Sequence, residues 1–375
     1  MRCTISTDEH DELRSTARRF FEKNSPEEVV RATMESSPAF DRALWQAMSD
    51  QLGLPAILVP EEFGGAGFGF GFAALVMEEL GRALVCAPFL STAVIAVEAL
   101  VASEDAVNGG EMLSAIAEGS LLVAVAFTDK HGHLEATQDD ADGVRARHLG
   151  DGWALTGVRQ FVIDAAVADV LLVLAETDGG WSLFRVPASG TGVTIETLDT
   201  LDLTRGQAHV HFDDAPAQLV GEAGRGHDYA KRALTAGLVG IAAEQVGGAR
   251  RAMEMSVDYA KVREQFGRPI GSFQAIKHKC ADMLMGVESG TSAVHAAALA
   301  IEEGSAESAL LASLAKAYCS DAYCQVAAEN IQVHGGIGFT WEHPAHLYFR
   351  RAKSTRVLFG DPVYHRERIL QELGL

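Results

Sequence analysis

Arg263, Gln265 and Phe266 stand just before, and Arg268 and Gln274 just after, a point where Gly267, Pro269 and Gly271 stop any helix from continuing. A long helical pattern runs into this point, halts, and restarts at Ser272, a residue suited to capping a helix, with Phe273, Ile276, Lys277 and Cys280 at helical spacing. Guanidinium groups make forked hydrogen bonds to phosphates, and an aromatic ring flanked by amides offers a face to a flat heterocycle. The corner therefore suits a ligand that carries both. The same residues also read as a plain helical hairpin with solvated arginines.

Other groups of chemically capable residues carry less. Pro60-Glu61-Glu62-Phe63-Gly64-Gly65-Ala66-Gly67 is glycine-rich and opens a helix over Phe72 to Ala83, but it is neither a GxGxxG after a strand nor a GK[ST] loop. His209 and His211 share one strand face, with no Cys, Asp or third His at ligand spacing, so they read as a solvated face and no metal is expected. The five cysteines (Cys3, Cys86, Cys280, Cys319, Cys324) form no CxxC pair and read as reduced thiols. A net charge of −20 argues against a nucleic-acid partner. No basic start with an apolar run and no membrane-length apolar segment is apparent, which reads as a cytoplasmic protein.

These residues must be positioned by more than one packed region, since 375 residues exceed what a single small core organises. Residues 1–118 read as helical: Asp8 to Phe21 is amphipathic, Asp41 caps a second helix ended by Gly53 and Pro55, and Thr92 to Ala102 and Gly110 to Glu118 follow. Residues 119–222 change period. Short branched and aromatic runs at Leu121 to Val125, Trp153 to Thr156, Val170 to Leu174, Trp181 to Val186, Val193 to Ile195 and Ala208 to Phe212 predict a small barrel or sandwich. Residues 223–375 return to helices: His227 to Phe266, Phe273 to Glu303, Ala306 to His334, Pro344 to Leu358 and Pro362 to Leu373. Ala233, Ala236, Gly240, Ala243, Gly247 and Gly248 would let a neighbouring helix approach the first of these closely. The fold class is α+β multidomain, with a helical N-terminal domain, a central β-barrel or sandwich and a C-terminal four-helix bundle.

The stretch from Arg263 through Gln265-Phe266-Gly267, Pro269-Ile270 and Phe273-Gln274 resembles a signature of the acyl-CoA dehydrogenase family. Gln332-Val-His-Gly-Gly-Ile-Gly-Phe339, followed by Pro344, Leu347, Arg350 and Ala352-Lys353, resembles its second signature, and a weaker likeness covers nearly the whole chain. The resemblance implies FAD as cofactor, an acyl-CoA substrate and an electron-transfer flavoprotein as acceptor. It implies that Arg263 takes the diphosphate, that Phe266 and Gln274 line the adenosine side, and that Gln332, Gly335 and Gly336 add amide and backbone contacts. In the family the flavin lies across a subunit boundary, with the helical bundle as oligomer core. Trp153 to Asp169 resembles the strand against the flavin ring, where Phe161 keeps the family's aromatic shape and Ile163 replaces a hydroxyl. Of the preceding family loop, Phe127-Thr128 remains and Thr128 matches.

The reaction so implied removes a proton α to a thioester and a hydride from the β carbon, and it needs a carboxylate base. Both usual places lack one. Phe359, in Leu358-Phe359-Gly360-Asp361-Pro362, stands where many members have Glu, and Gly237, followed by Leu238, stands where others have it. Glu244 is the nearest acid on the same helix, about 10.5 Å of rise away, and reads as a catalytic candidate or a buried pairing residue. Asp361 reads as a helix cap before Pro362 or a flavin contact. The resemblance extends to heteromeric actinobacterial steroid dehydrogenases in which one chain type lacks the base. It implies a homologous partner subunit, in a heterotetramer, or a homo-oligomer. The alternatives are a family-fold flavin monooxygenase and a non-catalytic structural subunit.

Overall fold

The computed structural model describes residues 8–133, 143–150 and 152–375. Helices α1 (Asp8–Asn24), α2 (Glu27–Met34), α3 (Arg42–Leu52), α4 (Phe70–Arg82), α5 (Val97–Ser103) and α6 (Asn108–Ala117) come first. Seven strands follow: β1 (Val123–Ala126), β2 (Arg145–Leu149), β3 (Gly152–Ile163), β4 (Val170–Thr177), β5 (Gly180–Pro187), β6 (Val193–Thr197) and β7 (Gln207–Val220). The 37-residue α7 (Gly226–Val262) leads to a two-stranded hairpin, β8 (Glu264–Gln265) and β9 (Arg268–Pro269), then to α8 (Gln274–Glu302), α9 (Ser308–His334), α10 (Ala345–Val357) and α11 (Pro362–Glu372). The order of helical, β and helical regions is the one expected from periodicity. The chain divides into two compact units, one of residues up to Arg31, Phe70–Val85 and Leu238–Leu375, the other of Ala32–Gly69 and Cys86–Gly237.

In the second unit the sheet closes: β4, β2, β3, β7 and β5 pair in that order and β5 returns to β4, so the expected barrel or sandwich is a barrel. β1 adds in parallel to β4 and β6 antiparallel to β7. Inward residues of the strands, among them Leu155, Leu171, Val173, Phe184, Val186, Val210 and Phe212, fill the interior. Strand β2 escaped the sequence reading because Arg145-Ala-Arg-His-Leu149 is exposed along most of its length and carries no apolar alternation. Asp41 caps α3 through Ala43 N and Leu44 N, at 2.8 and 3.1 Å, and Gly53 ends it with φ 60°. The helix expected over Thr92 to Ala102 instead opens with a π-turn over Leu90–Ala96. There Ser91 Oγ donates to Asp164 at 2.6 Å and the Thr92 hydroxyl pairs with Val123 of β1, so local side-chain bonds accompany the widened backbone.

The first unit is a bundle in which α9 packs against α8, α10 and α11, and α4 against α1 and α8. α4 and α7 meet through reciprocal glycines. A Cβ at Gly247 would lie 1.8 Å from the Glu78 carbonyl oxygen, and one at Gly81 would lie 2.1 Å from that of Glu244. A Cβ at Gly248 would be 2.4 Å from the Tyr323 hydroxyl of α9. The small residues of α7 are therefore contact points, as their pattern suggested. α8, whose length matches the helix expected over Phe273 to Glu303, is the one helix among the described residues long and apolar enough to span a membrane, where no membrane-length apolar segment was expected, and it packs within the bundle.

Candidate cofactor and active site

α7 ends at Val262, and the chain turns at once through β8 and β9, where Glu264 faces Pro269 and Gln265 faces Arg268. The two residues of the turn, Phe266 and Gly267, have φ 55° and 74°. Two consecutive left-handed residues make the tightest hairpin turn, and a phenylalanine there is strained. The residue is 91% exposed. The Arg268 guanidinium lies 4.2 Å from the Phe273 ring centre, and Phe266 meets Phe273 edge to face at 6.0 Å. Arg263 and Gln274 are exposed on either side, with Gln274 Nε2 3.3 Å from the His278 ring. The helix restarts at Gln274 rather than from a Ser272 cap: Ile270–Ser272 forms a 3₁₀ turn, and Phe273 precedes the helix without a side-chain cap.

The second motif lies beside this hairpin. Tyr259, in the last turn of α7, is 4.4 Å from the ring of His334, the final residue of α9, and His343 packs against His334 at 4.3 Å. Ser256 Oγ donates to Asn330 Oδ1 at 2.8 Å, and Lys279 pairs with Glu329. His334 donates through Nδ1 to Asn330 O at 2.8 Å, and burial lowers its pKa below the ordinary histidine value. Gln332, Gly335 and Gly336 are exposed just beyond this stack. Gly335 has φ 65° and ψ −140°, a conformation open only to glycine, and neither Gly335 nor Gly336 would bring a Cβ within 4 Å of other atoms. The backbone here is free to be approached.

The candidates of the β unit are placed differently. Phe127, Thr128 and Ile163 are 0%, 1% and 2% exposed, and the Thr128 hydroxyl donates to the Gln160 carbonyl. These side chains are turned into protein, so what they can offer a ligand is backbone. Phe161 is the exception. It has φ 54° at a bulge between Arg159 and Val162, is only partly buried, and meets the His209 ring at 5.3 Å. His209, His211, Gln160 and Arg145 line an open cleft of about 700 Å³, and His211 lies 3.2 Å from Glu196. Among the described residues no three His, Cys, Asp or Glu side chains are grouped to hold a metal ion.

No carboxylate occupies either of the positions where the family resemblance places the base. Phe359 is 3% exposed with φ 59°, and Gly237 and Leu238 lie buried within α7. Glu244 is held at 2.8 Å by Arg351, both side chains 2% exposed, a closed ion pair inside the first unit. Asp361 caps α11, accepting from Tyr364 N at 2.8 Å, a bond that lowers its pKa below the ordinary carboxylate value. Two titratable groups beside Phe359 were passed over in the sequence: Lys316 and His365, both wholly buried. Neither breaks a helical pattern, so nothing in spacing marks them.

A family model described as the N-terminal domain of acyl-CoA dehydrogenase matches residues 7–111, and one for the C-terminal domain matches residues 224–374. Acyl-CoA dehydrogenase IpdE2 of Mycolicibacterium smegmatis is 35% identical over 368 residues, covering 98% of this chain and 99% of that protein. A chain of the ChsE4-ChsE5 complex from Mycobacterium tuberculosis superposes with a TM-score of 0.88 at 30% identity, covering 99% of this chain and 98% of that one. Butyryl-CoA dehydrogenase from Megasphaera elsdenii does so with 0.88 at 26%, covering 100% of both.

Proposed function

The chain belongs to the acyl-CoA dehydrogenase family, and from that premise we propose that it works as one subunit of a heteromeric enzyme whose base comes from a homologous partner chain. The reaction is the α,β-dehydrogenation of an acyl-CoA thioester with FAD as cofactor. When bound, FAD supplies the acceptor for the hydride that leaves the β carbon. The exposed groups of the first unit suit a dinucleotide. Arg263 would bind the diphosphate, Phe266 and Gln274 would flank the adenosine, and the Gln332 amide with the open backbone at Gly335 and Gly336 would supply further bonds. Phe161 and neighbouring backbone would be the contribution of the β unit toward the flavin ring.

The observation that carries the heteromeric reading is the apolar filling of both base positions, Phe359 and Gly237, while Glu244 is committed to Arg351. A carboxylate locked in a buried ion pair is a poor proton acceptor, because protonating it would break the pair. The solved ChsE4-ChsE5 complex joins two different chains, which supports the same arrangement here. Electrons would pass to an electron-transfer flavoprotein, and the reduced thiols of Cys86, Cys280, Cys319 and Cys324 suit the cytoplasm. The structural-subunit reading rests on one observation, the burial of the Thr128 hydroxyl and of Ile163 beside the strand meant to face the ring.

The test is to purify the chain alone and together with its homologous partner, measuring bound FAD and acyl-CoA oxidation. Turnover should need both chains and should vanish when the partner's base is changed from Glu to Gln. Full turnover by this chain alone would end the proposal.

A further inference from the structure

Lys316 sits in the interior of α9 with 0% exposure, and its Nζ lies within hydrogen-bond distance of three oxygens: Ser320 Oγ at 3.0 Å, the Arg356 carbonyl at 3.1 Å and the Gly360 carbonyl at 3.1 Å. A buried amine costs far more desolvation than the methionine that would fill the same space, so packing alone does not account for it. What the amine does is tie down a turn. His365, also 0% exposed, donates through Nε2 to the Phe359 carbonyl at 3.1 Å. Three carbonyls around one turn, those of Arg356, Phe359 and Gly360, are thus held by two side chains from α9 and α11.

The turn needs holding. Phe359 has φ 59° and Gly360 φ 104°, and a Cβ at Gly360 would lie 2.3 Å from the Tyr364 ring. Left-handed backbone is unfavourable for a phenylalanine and persists only where its surroundings impose it. Behind Lys316 the restraint continues: Gln245 of α7 donates to Ser320 at 3.0 Å and to Thr355 of α10 at 3.1 Å, and Thr355 donates to the Arg351 carbonyl. Burial brings the Lys316 amine down to about 7 and the His365 ring to about 3.

We propose that Lys316 and His365 are positioning residues that fix the side chain at 359 as a wall of the acyl-thioester site. This rests on the proposed function in one respect, that position 359 borders the reacting acyl group. The pair acts through Phe359 and touches neither substrate nor cofactor. It holds the turn in one shape, and the ring at 359 can only shape the pocket.

The experiment uses the complex of both chains with FAD. It measures binding of a non-oxidisable 3-thiaacyl-CoA by the change in flavin absorbance, and amide hydrogen exchange across residues 357–361. Lys316→Met should speed exchange about tenfold in that segment and weaken binding about tenfold, with FAD content retained. In a Phe359→Gly background the same change should alter binding by less than about twofold, since the side chain being positioned is gone. His365→Phe should behave like Lys316→Met, and His365→Gln, which keeps a donor toward the Phe359 carbonyl, should restore binding. Where Lys316→Met does not fold, the two His365 variants carry the comparison. Equal losses of binding with Phe359 and with Gly at 359, or unchanged exchange, would overturn the proposal. Faster exchange with no acyl-CoA binding by any version, wild type included, would uphold the clamp on the turn, refute its role as an acyl wall and count against the proposed function.

Discussion

Gly247→Ala tests the packing on which the first unit is built. The new methyl would sit 1.8 Å from the Glu78 carbonyl oxygen, 2.6 Å from its carbon and 2.9 Å from its Cα. All three are backbone atoms, so no side-chain rotation relieves the overlap. A carbon needs about 3.5 Å, which means that α4 must retreat by roughly 1.5 Å or tilt. Retreat drags Glu78 and Glu79, which hold Arg14 at 2.5 Å and Arg18 at 2.7 Å. Overpacking of this kind costs about 3 kcal/mol, only partly offset by the roughly 1 kcal/mol by which alanine favours a helix over glycine. Gly286→Ala on α8 is the control. Its methyl would meet Ala322 Cβ at 3.7 Å and Val326 Cγ2 at 4.0 Å, ordinary contact, so the same chemical change should be neutral or stabilise by up to about 1 kcal/mol. Urea unfolding followed by helical circular dichroism should separate the two variants by at least 2 kcal/mol, with a clearly lower midpoint for Gly247→Ala. Two variants of equal stability would refute the reasoning and with it the close approach of α4 and α7.

On the proposed role of Arg263 at the FAD diphosphate, Arg263→Ala should weaken FAD retention about tenfold or more, with helical content unchanged; equal flavin content after gel filtration would contradict it. Acid should destabilise the chain through His365. Burial, with Lys316 and Arg368 nearby, lowers its folded pKa to about 3, so between that value and the ordinary 6.5 the unfolded chain binds a proton that the folded chain refuses. Stability tied to His365 is therefore intact above pH 6.5 and drains as pH falls, by at most about 1.4 kcal/mol per unit. His365→Gln, which cannot titrate, should show a shallower fall in melting temperature between pH 7 and 5; parallel curves would count against it.

Much of this arrangement was legible from residue types, and what was not has a common cause. Gly267, Pro269 and Gly271 can only end a helix, so the hairpin and its arginines stand out from sequence, whereas Gln332 to Phe339 stands out through its likeness to the family's second signature. The barrel was visible because most of its strands bury one face, and the strand that does not, β2, was the one overlooked. Helix α9 is covered by neighbours on several sides and α7 is buried without a break from 233 to 249, so no apolar stripe separates an inner from an outer face. Polar residues there lose their usual meaning. Lys316, Ser320 and Asn330 are polar residues of a helix and yet wholly buried, and Glu244 finds its partner in Arg351, more than a hundred residues away. The two base positions show the same limit from the other side. Sequence reveals that Phe359 is not a carboxylate, but the left-handed turn beneath it is bonded by Lys316 and His365 from two other helices, and no local pattern could announce that. The residue at 359 can be read from the sequence, whereas the bonds that Lys316 and His365 make to the carbonyls around it have to be read from three dimensions.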